Sequence, residues 1–172
     1  MGDRAMMAQA TPTFGLRPFL PADAAIIAEI FRASVEELTG DDYSEAQQAA
    51  WAAVADEEKF NADLNQRLTL VATLNGSPIG FASLEDGDHI AMLYVHPAVA
   101  RRGVASMLCD ALEKLSASRG TTKLGTDASE TARAFFEQRG YVAQRRNTVL
   151  CGGEWLVNTT MEKKLSAKAG AR

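Results

Sequence analysis

The sequence predicts an α/β chain of the α+β kind, in which a single mixed, mostly antiparallel sheet is flanked by helices. Three observations carry this reading. Asn75-Gly76 separates two apolar runs, 68–74 and 78–84, a strong signal for a two-residue hairpin. A strand over 90–96 ends at Pro97 and passes through a short basic loop into a helix with Val104, Leu108, Ala111, Leu112 and Leu115 on one face. That helix then leads to a second strand over 122–127, and a helical crossover makes the two strands parallel neighbours within an otherwise antiparallel sheet.

The remaining elements follow in order. Leu16 to Leu20 reads as a short edge strand, and Pro21 suits the opening of a helix. Ile27, Ile30, Phe31, Ser34 and Leu38 share a face of that helix, and Gly40 stops it. Ser44-Glu-Ala-Gln47 has the form of a capping box, so a second helix begins there and carries Trp51 and Val54. The charged stretch 56–67 reads as a loop with at most a helical turn. Asp86-Gly-Asp88 is a turn before the strand 90–96. Ala132, Phe135 and Phe136 mark a helix over 130–139, with Gly140 as its stop. Two strands, 141–150 and 154–164, close the chain around Gly152-Gly153. One domain over 15–165 is expected, with flexible tails at 1–14 and 166–172.

Composition narrows the function classes. A net charge of −4 opposes non-specific nucleic-acid binding, which needs a basic surface, and suits a cationic partner. No apolar run approaches the length of a membrane span, and residues 1–13 lack the apolar centre of a signal peptide, so a cytoplasmic setting is expected. Cys109 and Cys151 have neither the spacing nor the histidine neighbours of a metal site; two buried or half-buried thiols are expected, and no metal.

The junction Tyr94-Val-His-Pro-Ala-Val-Ala-Arg-Arg-Gly-Val-Ala-Ser106 carries most of the functional signal. A helix start has unpaired N–H groups and a partial positive charge, which makes it a receptor for phosphate. Gly103 lets the backbone approach phosphate oxygens that a Cβ would crowd, and the N–H groups of about 102–106 can point at a diphosphate. Arg101 and Arg102 add charge-assisted contacts.

With the order of elements, Ala100-Arg-Arg-Gly-Val-Ala105 resembles the acetyl-CoA motif Gln/Arg-x-x-Gly-x-Gly/Ala of the GNAT superfamily of N-acetyltransferases. The later segment Ser129-Glu-Thr-Ala-Arg-Ala-Phe-Phe136-Glu-Gln-Arg-Gly-Tyr141 is similar to that family's Asn-x-x-Ala-x-x-Phe/Leu-Tyr-x-x-x-Gly-Phe/Tyr. The resemblance spans 15–165. Three departures stand out: Ala100 for Gln or Arg, Ser129 for Asn, and Phe136 for the frequent Tyr.

The resemblance implies acetyl-CoA as co-substrate and an amine-bearing acceptor. It implies cofactor contacts from Leu93, Tyr94 and Val95, whose strand pairs with the pantetheine amides. Arg101, Arg102, Gly103, Val104, Ala105, Ser106, Ser129, Arg133 and Phe136 complete that set. A homodimer is a habit of the family. Ser129 has two readings, a cofactor contact or a cap for the helix after it.

The chemistry is less legible. An amine with pKa about 10.4 stands roughly 3.4 units above neutral pH, so deprotonating it costs about 4.6 kcal/mol. A histidine titrates in the useful range. His89 falls near the position where some family members carry a carboxylate base; as a residue of the turn 86–89 it also has a purely structural reading. Glu85 is an alternative base acting through water. A backbone N–H near 93–95 is expected to receive the developing oxyanion. Phe136 cannot protonate a leaving thiolate, which leaves Tyr94 or Tyr141 to stand in. Tyr43, Trp51 and Trp155 are expected to line the acceptor pocket, or else to be packing aromatics. A second functional reading fits the departures: a catalytically silent acyl-CoA-binding module.

Overall fold

A computed structural model describes residues 11–166. Along the chain come β1 (Phe14–Pro18), α1 (Ala24–Leu38), α2 (Glu45–Ala52), α3 (Glu58–Gln66), β2 (Leu68–Leu74), β3 (Ser77–Glu85) and β4 (His89–Val95). There follow α4 (Val104–Ser118), β5 (Lys123–Ser129), α5 (Arg133–Gln138), β6 (Val142–Cys151) and β7 (Glu154–Lys164). Among the described residues, seven strands form one sheet in the order β1-β2-β3-β4-β5-β7-β6. Every neighbouring pair is antiparallel except β4 and β5, as the helical crossover requires.

Local chemistry explains the joints. Asn75 (φ 50°) and Gly76 (φ 85°) turn β2 into β3 with the left-handed pair a tight hairpin needs. The capping box closes on both sides: Gln47 N–H donates to Ser44 Oγ at 3.1 Å, and Ser44 N–H donates to Gln47 Oε1 at 2.9 Å.

Each face of the sheet buries its own core. Ile27, Ile30, Phe31 and Val35 of α1 pack with Phe60, Leu64 and Phe81 on one side. Val104, Leu108 and Leu112 of α4 pack with Leu84, Ile90, Leu124 and Met161 on the other.

Three expectations are corrected. The stretch 56–67, read as a loop, holds the helix α3. Its amphipathic face is only two side chains wide, Phe60 and Leu64, yet both are buried, and that burial organises an otherwise polar segment. The helix expected over 130–139 is regular only from Arg133 to Gln138. The expected tails lie mostly outside the described residues, but Phe14 belongs to β1 opposite Leu74, and Asn75 N–H donates to Thr13 O at 2.8 Å.

Two irregularities in β4 position the site. The parallel pairing with β5 consists of His89↔Gly125 and Ile90↔Thr126, after which the strands part. On the β3 side Ser83 faces Met92 and Leu84 faces Ile90, so Ala91 is an extra residue, a bulge that breaks the ladder and bends the strand. Beyond Ile90, β4 therefore presents an edge inside the sheet, at the carboxyl ends of two diverging parallel strands where open α/β sheets take ligands.

Candidate active site

The gap opens into two cavities that share a wall. The first, about 440 Å³, is a slot between β4 and the start of α4. Leu93, Tyr94 and Val95 line it along β4, and Ala100, Arg101 and Gly103 to Ser106 at the helix entry. Ser129, Thr131 and Phe135 face them, with Ser34 and Thr39 of the α1 region above.

Gly103 is the N-cap of α4 at φ 83°, and no described side chain caps the helix in its place. Its first-turn N–H groups thus remain available. A Cβ built on Gly103 would find no atom within 4 Å, so it is the left-handed backbone, not crowding by the protein, that calls for glycine. Arg101 is also left-handed, at φ 62°. His96 braces the loop, its Nδ1 accepting from Ala98 N–H at 3.1 Å.

The second cavity, about 290 Å³, lies on the α2 side of the gap. Tyr43 and Trp51 wall it from the helices, Met92 and Tyr94 from β4, Asp127 and Ser129 from β5, and Leu156 and Asn158 from β7. Leu93, Tyr94, Ser129 and Ala132 line both cavities, so the slot and the pocket adjoin along these residues.

Hydrogen bonds fix this wall. The Tyr43 hydroxyl donates to Val157 O at 2.6 Å and accepts from Glu130 N–H at 3.0 Å, bridging the helical side to β7 and to the turn after β5. Thr131 Oγ1 donates to Asp42 Oδ2 at 2.8 Å beside it. Ser129 Oγ accepts from Ala132 N–H at 3.1 Å, closing the turn before α5; α5 has Ala132 as its N-cap and no described side-chain cap, so Ser129 is not its cap, and it lines both cavities. Asp127 Oδ1 accepts from Thr160 Oγ1 at 2.6 Å, and its Oδ2 lies 3.7 Å from His89 Nε2.

Tyr94 sits edge-on to Phe31, with centroids 4.6 Å apart, and stacks on Phe81 at 5.6 Å. Burial pushes its phenol up to about 12, against a smaller lowering by the Trp51 indole. It is therefore a protonated donor at every physiological pH. Cys151 also faces the pocket, and burial raises its thiol. Cys109 is buried in the core, its thiol pushed up to about 12 by burial.

Several sequence-predicted residues stand elsewhere. Glu85 lies outside both cavities and pairs with Arg67 at 3.3 Å. His89 does not line the pocket and meets it only through Asp127. The Arg102 guanidinium lies over the Phe14 ring, 5.4 Å from its centroid, outside the slot lining. Arg133 pairs with Glu137 at 2.8 Å, one turn along α5. Phe136 is buried against Phe135 and Tyr141 and borders the second cavity, while Phe135 borders the slot. Trp155 is 59% exposed, outside the pocket lining, and Leu156 beside it turns inward instead. The Tyr141 hydroxyl donates to Glu113 Oε1 at 2.9 Å, outside both cavities.

Asp127 and Asn158 were not anticipated. The period-2 pattern of β5 and β7 was the signal available, because it sets both on one face of the sheet. Among the described residues, no group of three His, Cys, Asp or Glu is arranged to hold a metal, and no helix is long and apolar enough to cross a membrane.

Comparison with known proteins agrees with this geometry. Residues 39–165 match the family model described as an acetyltransferase (GNAT) domain. An uncharacterised N-acetyltransferase of Escherichia coli K12, YafP, is 36% identical over 149 residues, covering 87% of this chain and 95% of that protein. A crystal structure described as a GCN5-related N-acetyltransferase from Rhodopseudomonas palustris superposes with a TM-score of 0.86 at 58% identity, covering 92% of this chain and 99% of the other. The PaiA N-acetyltransferase of Thermoplasma acidophilum, solved in complex with coenzyme A, has the same fold, with a TM-score of 0.73 at 19% identity over 88% of this chain and 99% of its own. The match of the family model over most of the chain, and of a relative along nearly its whole length, places this protein among the GNAT acetyltransferases.

Proposed function

We propose that this N-acetyltransferase moves the acetyl group of acetyl-CoA directly to a primary amine held in the pocket behind the slot. One observation carries the reading: the slot and the pocket meet along Leu93, Tyr94 and Ser129, so a carrier in one and an amine in the other would touch without a covalent relay on the protein. The residues present fit the co-substrate. The open cradle at Gly103 and the uncapped start of α4 suit a diphosphate, with Arg101 beside it. The unpaired edge of β4 suits an amide-bearing arm that adds to it as a strand would.

When bound, acetyl-CoA supplies an acetyl group already activated as a thioester. The rest falls to the chain. An N–H of β4 beyond its bulge faces the carbonyl oxygen as charge develops there. His89, reaching the pocket through Asp127, receives a proton from the ammonium. Tyr94 offers its phenol to the departing sulfur. Complete transfer from a phenol raised to about 12 to a thiolate near 8.5 is uphill by roughly 5 kcal/mol, so Tyr94 acts as a hydrogen-bond donor, not as the source of the final proton. The C–N bond forms as the C–S bond breaks. Two protons leave the nitrogen, one ending on the CoA sulfur and one in solvent.

A thiol-release assay with acetyl-CoA and a panel of amines, run beside calorimetry with CoA, tests the reading. Turnover with at least one primary amine is expected. The alternative, a silent acyl-CoA-binding module, is favoured by the buried phenyl ring of Phe136, which offers no proton. CoA binding without turnover of any amine would select it.

A further inference from the structure

The acceptor pocket is more specific in its chemistry than the family to which the chain belongs. Its described lining is mostly aromatic and aliphatic, with the neutral polar side chains of Thr126, Ser129, Cys151 and Asn158; its one ionic side chain is Asp127, and it holds no Lys, Arg or His. Asp127 stands on β5 two residues before Ser129, where pocket and slot meet, a step of about 6.6 Å along a strand. Its carboxylate is oriented by neighbours on both flanking strands, Thr160 at 2.6 Å and His89 at 3.7 Å. Thr160 Oγ1 is itself fixed, accepting from Asn147 Nδ2 at 2.8 Å. A carboxylate offers about four acceptor sites. With its side chain 45% exposed, Asp127 keeps acceptor capacity toward the pocket.

Building on the acetyl-transfer reading above, we propose that Asp127 is the acceptor-recognition site. The substrate class is a compact primary alkylammonium with an aromatic or aliphatic body and no carboxylate or phosphate beside the nitrogen. The ammonium pairs with Asp127. Its body lies against the aromatic wall in which Tyr43 and Trp51 stand 5.2 Å apart and Trp51 and Tyr94 6.3 Å apart, edge to face. An anionic group next to the nitrogen would face that wall and the Asp127 charge with no Lys, Arg or His in the described lining to pair with, a repulsive selection against amino acids and their phosphorylated relatives. The volume of about 290 Å³ sits at the lower end for small-molecule pockets, suited to a single-ring body.

2-Phenylethylamine and phenylalanine share a ring and a primary amine and differ by one carboxylate. Each is titrated calorimetrically into the full chain saturated with CoA, and each is offered as acceptor with acetyl-CoA while thiol release is followed. The expected result is a kcat/KM for 2-phenylethylamine at least about 100-fold above that for phenylalanine, with binding in the same order. Asp127→Asn, which keeps an acceptor for Thr160, should weaken amine binding by about 30-fold or more and leave CoA binding and melting unchanged. Asp127→Glu should recover part of the loss.

Equal use of the two amines, no binding of 2-phenylethylamine, or an Asp127→Asn affinity within about threefold of wild type overturns the proposal. Should Asp127→Asn melt early, the two amines on the wild-type chain decide alone. The two levels separate cleanly. Asp127-dependent amine binding without thiol release sinks acetyl transfer and leaves recognition standing. Thiol release with anionic amines alone does the reverse.

Discussion

The slot and the pocket share four residues and are made of different material. The slot has an apolar lining that includes Val99, Val104 and Phe135, and much of what it offers a polar ligand is main chain: the free edge of β4, the N–H groups at the start of α4, and a left-handed glycine between them. Of the two arginines at its mouth, one turns away onto Phe14. Ala100, standing where the family resemblance expects Gln or Arg, still lines the cavity with its backbone neighbours in place. The pocket is made of side chains converging from the helices and from β4, β5, β6 and β7, each held by its own hydrogen bonds or packing. A main-chain site depends on conformation and tolerates changes of side chain. A side-chain site depends on identity at every position, so it is where substrate choice is written.

That contrast can be broken most sharply at Gly103. Gly103→Glu places a carboxylate in the free space at the proposed diphosphate cradle, and CoA affinity measured by calorimetry should fall by about 100-fold or more, by like-charge repulsion at the helix start. The left-handed φ adds about 1–3 kcal/mol of strain. Gly103→Ala carries the strain without the charge and should keep most of the affinity; an equal loss in both variants would point to conformation alone. Next in size is Tyr94→Phe. A hydrogen bond to a developing thiolate is worth about 1.5–3 kcal/mol, so kcat should fall roughly ten- to a hundredfold, with CoA binding unchanged.

Arg101→Ala should raise the Kd for CoA by about tenfold, more at low salt, while Arg102→Ala should stay within about twofold because its guanidinium is engaged elsewhere. Equal effects of the two would refute the assignment of one arginine to the slot. The smallest effect belongs to stability. Tyr43→Phe strips Val157 O and Glu130 N–H of a shared partner, at a cost of about 1–3 kcal/mol, lowering the melting temperature by roughly 2–4 °C for each. It should perturb amine binding and spare the slot.

The same division explains what could be read in advance. The hairpin at Asn75-Gly76, the capping box at Ser44, the parallel strand pair and the left-handed glycine at the entry to α4 rest on signals that are legible along the chain. The pocket is assembled across large sequence separations. Asp127 became visible as a candidate only once Thr160 and His89 were set on either side of it. Trp155 and Leu156 show the limit from the other direction. Adjacent strand residues point to opposite faces, so the bulkier aromatic drew the expectation and the smaller neighbour lines the cavity. For α3, two apolar residues in a polar run gave too weak a period to outweigh its charge, and only the packing against Phe81 and Val71 makes that helix.

The parting of β4 and β5 has a mechanical consequence. Between β1-β2-β3-β4 and β5-β7-β6 the ladder is a seam stitched by the pairs at His89 and Ile90. On the proposed reading acetyl-CoA adds to β4 and completes that seam, which makes it mortar as well as reagent. At a hundred times its Kd it adds about 2.7 kcal/mol to the unfolding free energy and shields the amides of 91–95 from exchange. The durability of the folded enzyme is thereby indexed to the supply of the compound it consumes.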